Sequence, residues 1–114
     1  MNWKEGMSWM IKYRIKFAQR AREDIVAIGD HIAYTLQEPD ISQAFVRGLK
    51  DSILQLSFFP YKFSLVQNHM LRSKGIRYLP YKNYYVFYEV IEESKCVIVL
   101  RILYKRRNWK DILN

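Results

Sequence analysis

The sequence is poor in the residues that often hold small or irregular domains together. Its 114 residues include one cysteine, three prolines and four glycines. A single cysteine, Cys96, cannot form an intramolecular disulfide, which fits a protein of the reducing cytoplasm better than a secreted one. Half of the residues (50%) are hydrophobic, so we expect one core and one domain at residues 9–114, after a leader of residues 1–8.

Long apolar runs are also absent. The longest, from Cys96 to Tyr104, is interrupted by Arg101 and is much shorter than the ~20 residues of a membrane-spanning helix. The histidines, His31 and His69, have no cysteine or second histidine at the spacing of metal ligands, and there is no glycine-rich phosphate loop. We therefore expect no membrane partner, no metal site and no small-molecule cofactor.

Acidic residues are outnumbered by basic ones. The 19 lysines and arginines against 11 aspartates and glutamates give a formal net charge of +8. Such a surplus attracts polyanions, for example a nucleic acid or an acidic protein. The charge therefore narrows the class of partner without identifying it.

Hydrophobic spacing predicts the first half of the fold. From Ile11 to Phe17 apolar and basic residues alternate, as in a half-buried strand. From Ala18 onward the apolar spacing becomes three or four residues, which predicts a helix that ends near Glu38. Pro39 then separates this helix from a second one, which Pro60 ends.

The second predicted helix has two further features. Asp40 and Gln43 are spaced as a capping box at its start. Gly48 lies in its middle, where a missing side chain would let the first helix approach closely. The two helices should form a tight hairpin with a shared core. The apolar stripes are Ala18, Ala21, Ile25, Ile28, Ile32 and Leu36 in the first helix and Ile41, Phe45, Leu49, Ile53 and Leu56 in the second.

Three strands are predicted in the second half, after a surface loop at residues 61–73. The segments 75–79, 83–91 and 95–104 are rich in tyrosine, valine, isoleucine and phenylalanine, as strands are. Short turns between them make an antiparallel meander. The fold class is therefore α+β, namely a strand, a helical hairpin and three strands, with the helices on one sheet face. The other face should stay partly open and carry the function, with Arg101 on it because an arginine does not fit comfortably against the helices.

Three segments of the second half carry a family resemblance. They are Gly75–Leu79 (GIRYL), Asn83–Tyr88 (NYYVFY) and Val97–Trp109 (VIVLRILYKRRNW). In this order, they resemble the RelE/ParE toxins of bacterial type II toxin–antitoxin, or plasmid stabilisation, systems. Residues of the predicted helical hairpin also match the family's pattern, namely Ala21, Asp24, Ile28, Ile32, Ala44, Ile53, Leu56 and Pro60. The resemblance implies the α+β fold described above and a cognate antitoxin that is acidic and partly disordered.

The family resemblance implies two mechanisms. RelE-like members cleave mRNA in the ribosomal A site without a metal, and ParE-like members inhibit DNA gyrase. RNA cleavage needs cationic groups around the phosphate and a proton donor and acceptor. Our first expectation is such a ribosome-dependent endoribonuclease. The resemblance then implies catalytic roles for Arg77, Arg101, Tyr104 and Arg106, and RNA or target binding by Lys74, Lys105 and Arg107.

Two departures from the ribonuclease pattern keep the gyrase alternative open. Tyr85 stands where the ribosome-dependent ribonucleases place an arginine, and Tyr104 stands where many relatives carry histidine. Histidine is the side chain best suited to proton transfer near neutral pH. A third hypothesis is an inactive relic that keeps only antitoxin binding.

The strand arginines also have a structural alternative. Arg77 and Arg101 could form an anion site on neighbouring strands, but either could equally pair with Glu89 or Glu92 across the sheet. The sequence does not choose between these two arrangements.

Overall fold

The computed structural model describes residues 12–113. The leader predicted for residues 1–8 and the predicted place of Ile11 in the first strand lie outside this range. The elements are β1 (Arg14–Phe17), α1 (Gln19–Asp30), α2 (Pro39–Leu54), α3 (His69–Ser73), β2 (Arg77–Tyr81), β3 (Tyr84–Ile91), β4 (Cys96–Tyr104) and α4 (Trp109–Leu113). The predicted α+β class and the order of strand, hairpin and three strands are confirmed.

The strands form one mixed sheet in the order β1-β4-β3-β2. β2, β3 and β4 are the predicted antiparallel meander, and β1 lies parallel to β4 at one edge. The alternation before and within β1 has the predicted effect, because Tyr13 is buried and Phe17 packs on the core, while Arg14 and Lys16 are exposed. The pairing of this edge strand with β4 fixes where the chain leaves the sheet to form the hairpin.

The helical hairpin covers one sheet face, as predicted. Leu36 and Ile41, the two stripe residues nearest the turn between the helices, are exposed. Most of the other stripe residues join the buried residues of the sheet in one core. The buried members are Tyr13 before β1, Ala21, Ile28, Ile32, Phe45, Leu49, Ile53 and Leu56 from the hairpin and the segment that follows it, and Leu79, Val86, Tyr88, Val97, Val99 and Ile102 from the strands.

The turn of the hairpin differs from the prediction. After α1 the chain forms a five-residue π-helical turn, His31–Thr35. α2 begins at Pro39, and Glu38 occupies the N-cap position without a side-chain hydrogen bond. The predicted capping box of Asp40 and Gln43 is therefore wrong. Proline suits the first helical position because it has no N–H group to leave unsatisfied there.

Gly48 makes room for the sheet and not for α1. A Cβ atom at Gly48 would overlap the hydroxyl of Tyr81, which donates a 2.9 Å hydrogen bond to the carbonyl oxygen of Phe45. The two helices approach each other closely at Gly29 instead, where an added Cβ would lie 3.3 Å from Val46 Cγ2. The prediction that Gly48 lets the first helix approach is therefore wrong.

Residues 61–73 are more ordered than the predicted surface loop. The segment forms a β-bridge to β2 and then the helix α3. Asn68 caps α3, since its side-chain oxygen accepts a 3.1 Å hydrogen bond from the backbone N–H of Leu71. Val66 and Leu71 are buried in a second core cluster. Because only isolated side chains of this segment turn inward, the sequence shows no period there.

No helix within residues 12–113 combines the length and the apolar character needed to cross a membrane.

The substitution Gly48→Ala tests the contact with Tyr81. Alanine is favoured over glycine in a helix interior by up to ~1 kcal/mol, but the overlap with the hydroxyl should cost about 1–3 kcal/mol and outweigh this gain. We expect a lower urea midpoint. In a Tyr81→Phe background the nearest ring atom is 3.4 Å away, so Gly48→Ala should be neutral or stabilising there. Equal losses of stability in both backgrounds would contradict the assignment.

Candidate functional site

The sheet face away from the hairpin carries a groove. The segment before α3 and the first residues of α4 border the groove on this face, and the groove has a volume of about 420 Å³. The groove is lined by Tyr78, Tyr85 and Phe87 from the sheet and by Val66, Gln67, Asn68, Lys105, Trp109 and Lys110 around it. We call it the aromatic groove.

Four aromatic rings form a continuous row in this groove. The ring centres of Tyr78 and Tyr85 are 5.1 Å apart, those of Tyr85 and Phe87 6.0 Å, and those of Phe87 and Trp109 5.3 Å. Tyr85 and Phe87 lie two residues apart and so share one side of β3, and β2 places Tyr78 opposite Phe87. Phe87 is fully buried, while the other three rings are half-buried and can contact a ligand.

Two ammonium groups lie at the edge of the aromatic groove. Lys105 Nζ is 5.2 Å from the ring centre of Tyr85, and Lys110 Nζ is 5.8 Å from that of Trp109. This arrangement can hold a flat or apolar group against the rings and an anionic group at the edge. The lining residues, all within the described part of the chain, include no carboxylate and no imidazole. The groove therefore offers binding contacts but no side chain that commonly accepts a proton at neutral pH.

One of the seven predicted site residues, Lys105, lines the aromatic groove. Arg106 and Arg107 are exposed in the turn between Lys105 and α4. Lys74 is exposed directly after α3, outside the groove lining. Of these four basic residues, Lys105 alone lies against an aromatic ring of the groove.

Arg101 is bound to the hairpin and is not free on the open face, so its predicted placement is wrong. Its guanidinium donates hydrogen bonds of 2.8 and 2.9 Å to the two carboxylate oxygens of Asp24 in α1. Both side chains are 14% exposed. The same carboxylate accepts a 2.9 Å hydrogen bond from the backbone N–H of Ile102. The Asp24 hydrogen bonds raise the pKa of Arg101 above its already high ordinary value.

A β-bulge interrupts the alternation of side chains along β4. Tyr88 pairs with Val99 but Phe87 pairs with Arg101, so Leu100 is an extra residue in β4. Before the bulge, Val97 and Val99 face the hairpin core, as one alternating set. After it, Ile102 faces that core and Leu103 joins the second cluster. A strict alternation through residues 96–104 with Arg101 on the open face assigns Ile102 and Leu103 correctly, but it puts Val97 and Val99 on the wrong face.

Arg77 supports the loop before α3 and does not lie beside Arg101. β3 separates β2 from β4, so the predicted neighbouring-strand anion site is wrong. One Arg77 guanidinium nitrogen donates a 2.8 Å hydrogen bond to the carbonyl oxygen of Phe63. The guanidinium also lies 5.0 Å from the ring centre of Tyr61.

Glu92 links this loop to the N-terminal strand region and to the β3–β4 turn. Its carboxylate accepts hydrogen bonds from the hydroxyls of Tyr61, at 2.6 Å, and Tyr13, at 2.8 Å, and it pairs with Lys95. The Lys95 ammonium, with the tyrosine hydroxyls, lowers the pKa of Glu92 to about 2. The hydrogen bond to Glu92 raises the pKa of Tyr61 to about 12. This cluster joins three segments of the chain, and its members do not line the aromatic groove.

Tyr104 packs towards the hairpin side. It is 43% exposed, and its ring meets that of Tyr84 edge-on at 5.7 Å. Tyr84 in turn lies 5.6 Å from Phe45 of α2. Tyr104 is therefore apart from both Arg101, which is held by α1, and Arg77, which is held by the loop.

The aromatic members of the groove were missed in the sequence. Tyr78, Tyr85 and Phe87 read as ordinary half-buried strand residues, since tyrosine and phenylalanine are common in strands. Trp109 and Lys110 follow the basic cluster, and their helix is too short to show a period. The usable indication was the Tyr-x-Phe spacing of Tyr85 and Phe87, which places two rings on one side of a strand.

The chain was compared with known families and structures. A family model described as the ParE toxin of the type II toxin–antitoxin system parDE matches residues 15–109. No curated protein is significantly similar in sequence. A solved chain titled as the chromosomal ParDE toxin–antitoxin system from P. aeruginosa is 20% identical, with a TM-score of 0.68, and the match covers 82% of this chain and 96% of that chain.

A second solved structure has the same fold. It is the toxin–antitoxin complex RelBE2 from Mycobacterium tuberculosis, 18% identical, with a TM-score of 0.62 over 86% of this chain and 97% of that chain. The fold is thus shared with both branches of the predicted family. The family model covers most of the chain, so the protein belongs to the ParE toxin family of type II toxin–antitoxin systems.

The substitution Asp24→Asn tests the structural role of Arg101. It leaves the guanidinium without its charged partner in a largely buried place, and we expect a loss of about 3 kcal/mol in the free energy of unfolding. Glu23→Gln, the exposed neighbour in α1, is the matched control and should change stability by less than about 0.5 kcal/mol. Urea unfolding measures both. An unchanged midpoint in Asp24→Asn would show that the ion pair does not anchor α1.

The pKa of Glu92 predicts a pH dependence of stability. Because the folded-state pKa is near 2 and the ordinary value is 4.5, the Glu92 contribution is fully present above about pH 4.5 and is lost as the pH falls towards 2. Glu92→Gln should therefore flatten the decline of unfolding free energy between these values. Glu93→Gln, the exposed neighbour in the same turn, should not. Parallel acid-unfolding curves for the wild type and Glu92→Gln would count against the proposed cluster.

Proposed function

We propose that this toxin inhibits growth by binding DNA gyrase in the cytoplasm, and not by cutting mRNA. The observation that carries the proposal is the dispersal of the groups that RNA cleavage would need. Arg101 is paired with Asp24, Arg77 is held by the loop at Phe63, and Tyr104 packs edge-on against Tyr84. An enzyme that stabilises a developing phosphate charge needs such groups around one point.

The aromatic groove also favours a binding function. It contains Tyr85 at the position where the related ribonucleases place an arginine, and it has no carboxylate or imidazole among its described lining residues. Its half-buried rings and two lysines are the kind of surface that anchors protein partners, since aromatic side chains dominate interface energies. The match to ParE toxins supports the same target.

We further propose that a cognate antitoxin neutralises the toxin. The two solved relatives carry toxin–antitoxin titles. With a net charge of +8, this chain would attract an acidic antitoxin over distances of about a Debye length.

Ribosome-dependent RNA cleavage remains the second candidate function. Lys105 and Lys110 beside aromatic rings could hold a phosphate and a stacked base, as single-stranded nucleic acid binding requires. In that case a tyrosine or lysine of the groove would have to take part in proton transfer.

Two assays on the purified, antitoxin-free protein separate these functions. We expect it to block supercoiling of relaxed plasmid by gyrase and to leave mRNA intact in a cell-free translation reaction, as mapped by primer extension. Lys105→Ala should weaken gyrase inhibition by at least about fivefold, because it removes the charge at the groove edge. Lys82→Ala is the matched control, since this lysine also lies over a tyrosine ring, that of Tyr81, and beside Phe45, outside the lining of the aromatic groove.

The opposite results would identify the other function. Cuts within codons on translating ribosomes, with supercoiling unaffected, would overturn the gyrase proposal in favour of the ribonuclease. Activity in neither assay, together with harmless expression in cells, would point to an inactive relic. Arg101→Ala is unsuitable as a catalytic probe, because it also breaks the ion pair with Asp24.

A further inference from the structure

One wall of the aromatic groove belongs to a segment that passes round the outer edge of β2. Phe63 packs on the hairpin core, whereas Val66, three residues later, belongs to the second cluster on the groove side of the sheet. Between them Leu65 forms the β-bridge to Arg77 at the edge of β2. The segment then supplies the groove wall, which consists of Val66, Gln67 and Asn68. The position of the wall therefore depends on how the segment is held at this edge.

The backbone contributes little to this hold. Among residues 12–113, two backbone hydrogen bonds join the segment to β2 and the residue before it. The N–H of Val66 donates to the carbonyl oxygen of Ile76 at 2.9 Å, and the N–H of Tyr78 donates to that of Ser64 at 3.2 Å. A segment with so few backbone hydrogen bonds opens locally at a low cost unless side chains hold it.

Arg77 supplies such a side-chain contact from the face opposite the groove. It pairs with Tyr88 of β3, which packs in the hairpin core, so both side chains lie on the hairpin face of the sheet. The Arg77 guanidinium donates its 2.8 Å hydrogen bond to the Phe63 carbonyl oxygen and lies over the ring of Tyr61. A hydrogen bond from a cationic donor is stronger than one from a neutral donor. Arg77 thus fixes the backbone three residues before the groove wall begins.

Two further contacts hold the residues that come before Phe63. The fully buried Tyr88 donates a 2.9 Å hydrogen bond from its hydroxyl to the carbonyl oxygen of Pro60. The hydroxyl of Tyr61 is bound to the carboxylate of Glu92. Residues 60 and 61 are therefore held independently of the Arg77 hydrogen bond. Arg77 is the last side-chain contact on the hairpin face before the segment passes to the groove face.

We propose that Arg77 is a positioning residue for target binding, which holds the wall of the aromatic groove from the opposite face of the sheet. The target would contact the groove and not Arg77, which is absent from the groove lining. Any effect of Arg77 on target binding would then pass through the segment from Phe63 to Val66. The inference rests on the proposed function for the use of the groove as the target site.

The first test measures gyrase inhibition by variants of the purified, antitoxin-free chain. Arg77→Met keeps much of the apolar side chain and removes the charge and the donors. We expect it to raise the concentration for half-inhibition of supercoiling by at least about fivefold, as the loss of a charged hydrogen bond would. Arg77→Lys should restore most of the inhibition, because one ammonium group can serve the single hydrogen bond to Phe63.

A matched arginine controls for the loss of positive charge. Arg72 is an exposed residue of α3 and does not line the groove. Arg72→Met should stay within about twofold of the wild type in the same assay, since exposed charges away from a contact have small effects.

The second test measures the groove wall directly and needs no target. Hydrogen exchange of the N–H groups of Val66 and Tyr78 reports the two backbone bonds of the segment. We expect exchange there to become at least about tenfold faster in Arg77→Met, because local opening becomes easier. The N–H groups of Leu49 and Val86, in the hairpin core, should keep their wild-type rates. A general loss of stability would accelerate all four.

Three results would overturn the inference. They are unchanged half-inhibition in Arg77→Met, a loss of inhibition that Arg77→Lys does not reduce, and unchanged exchange at Val66 and Tyr78. Failure of the proposed function gives a different result. If the wild type does not inhibit gyrase and exchange still becomes faster in Arg77→Met, the proposed target is wrong and the hold of Arg77 on the groove wall stands.

Discussion

The hydrogen bonds of the Asp24 carboxylate join the hairpin to the sheet. β1 pairs with β4 only as far as Val99. Beyond that point the backbone N–H of Ile102, at the edge of β4, would have no strand to bond to. Asp24 fills this place by accepting from the N–H of Ile102 and from the guanidinium of Arg101. A buried donor without an acceptor would cost about 1–3 kcal/mol. The carboxylate thus replaces a missing strand and fixes the start of α1 against the sheet.

The position of α1 determines which sheet face is covered and which is free. With the hairpin on one side, Val86 and Tyr88 of β3 pack into its core, while Phe87 between them turns to the other side. The β-bulge at Leu100 lets β4 place Arg101 at the edge and still return Ile102 to the hairpin core. Neighbouring residues of β3 therefore contribute to opposite faces, Val86 and Tyr88 to the hairpin core and Phe87 to the aromatic groove.

Regular patterns made much of this fold predictable, and interactions between distant residues account for what was not. Alternation before β1 and the spacing of apolar residues in α1 and α2 correspond to repeated contacts along one element, so they are visible in the sequence. The bulge in β4 follows no pattern in the sequence, because it belongs with the hydrogen bonds between Arg101 and Asp24, which lie 77 residues apart. The choice between Gly29 and Gly48 as the helix contact likewise depends on Tyr81, a residue of another element.

The same reasoning separates basic residues that hold the fold from those that remain for a partner. Arg101 and Arg77, two of the arginines predicted to be catalytic, are bound to Asp24 and to the Phe63 carbonyl. Lys105 and Lys110 lie at the aromatic groove, and Arg47 and Lys50 line a groove on the outer side of the hairpin together with the exposed side chains of Val26 and Tyr34. Positive charge next to apolar surface is typical of sites at which proteins bind other proteins.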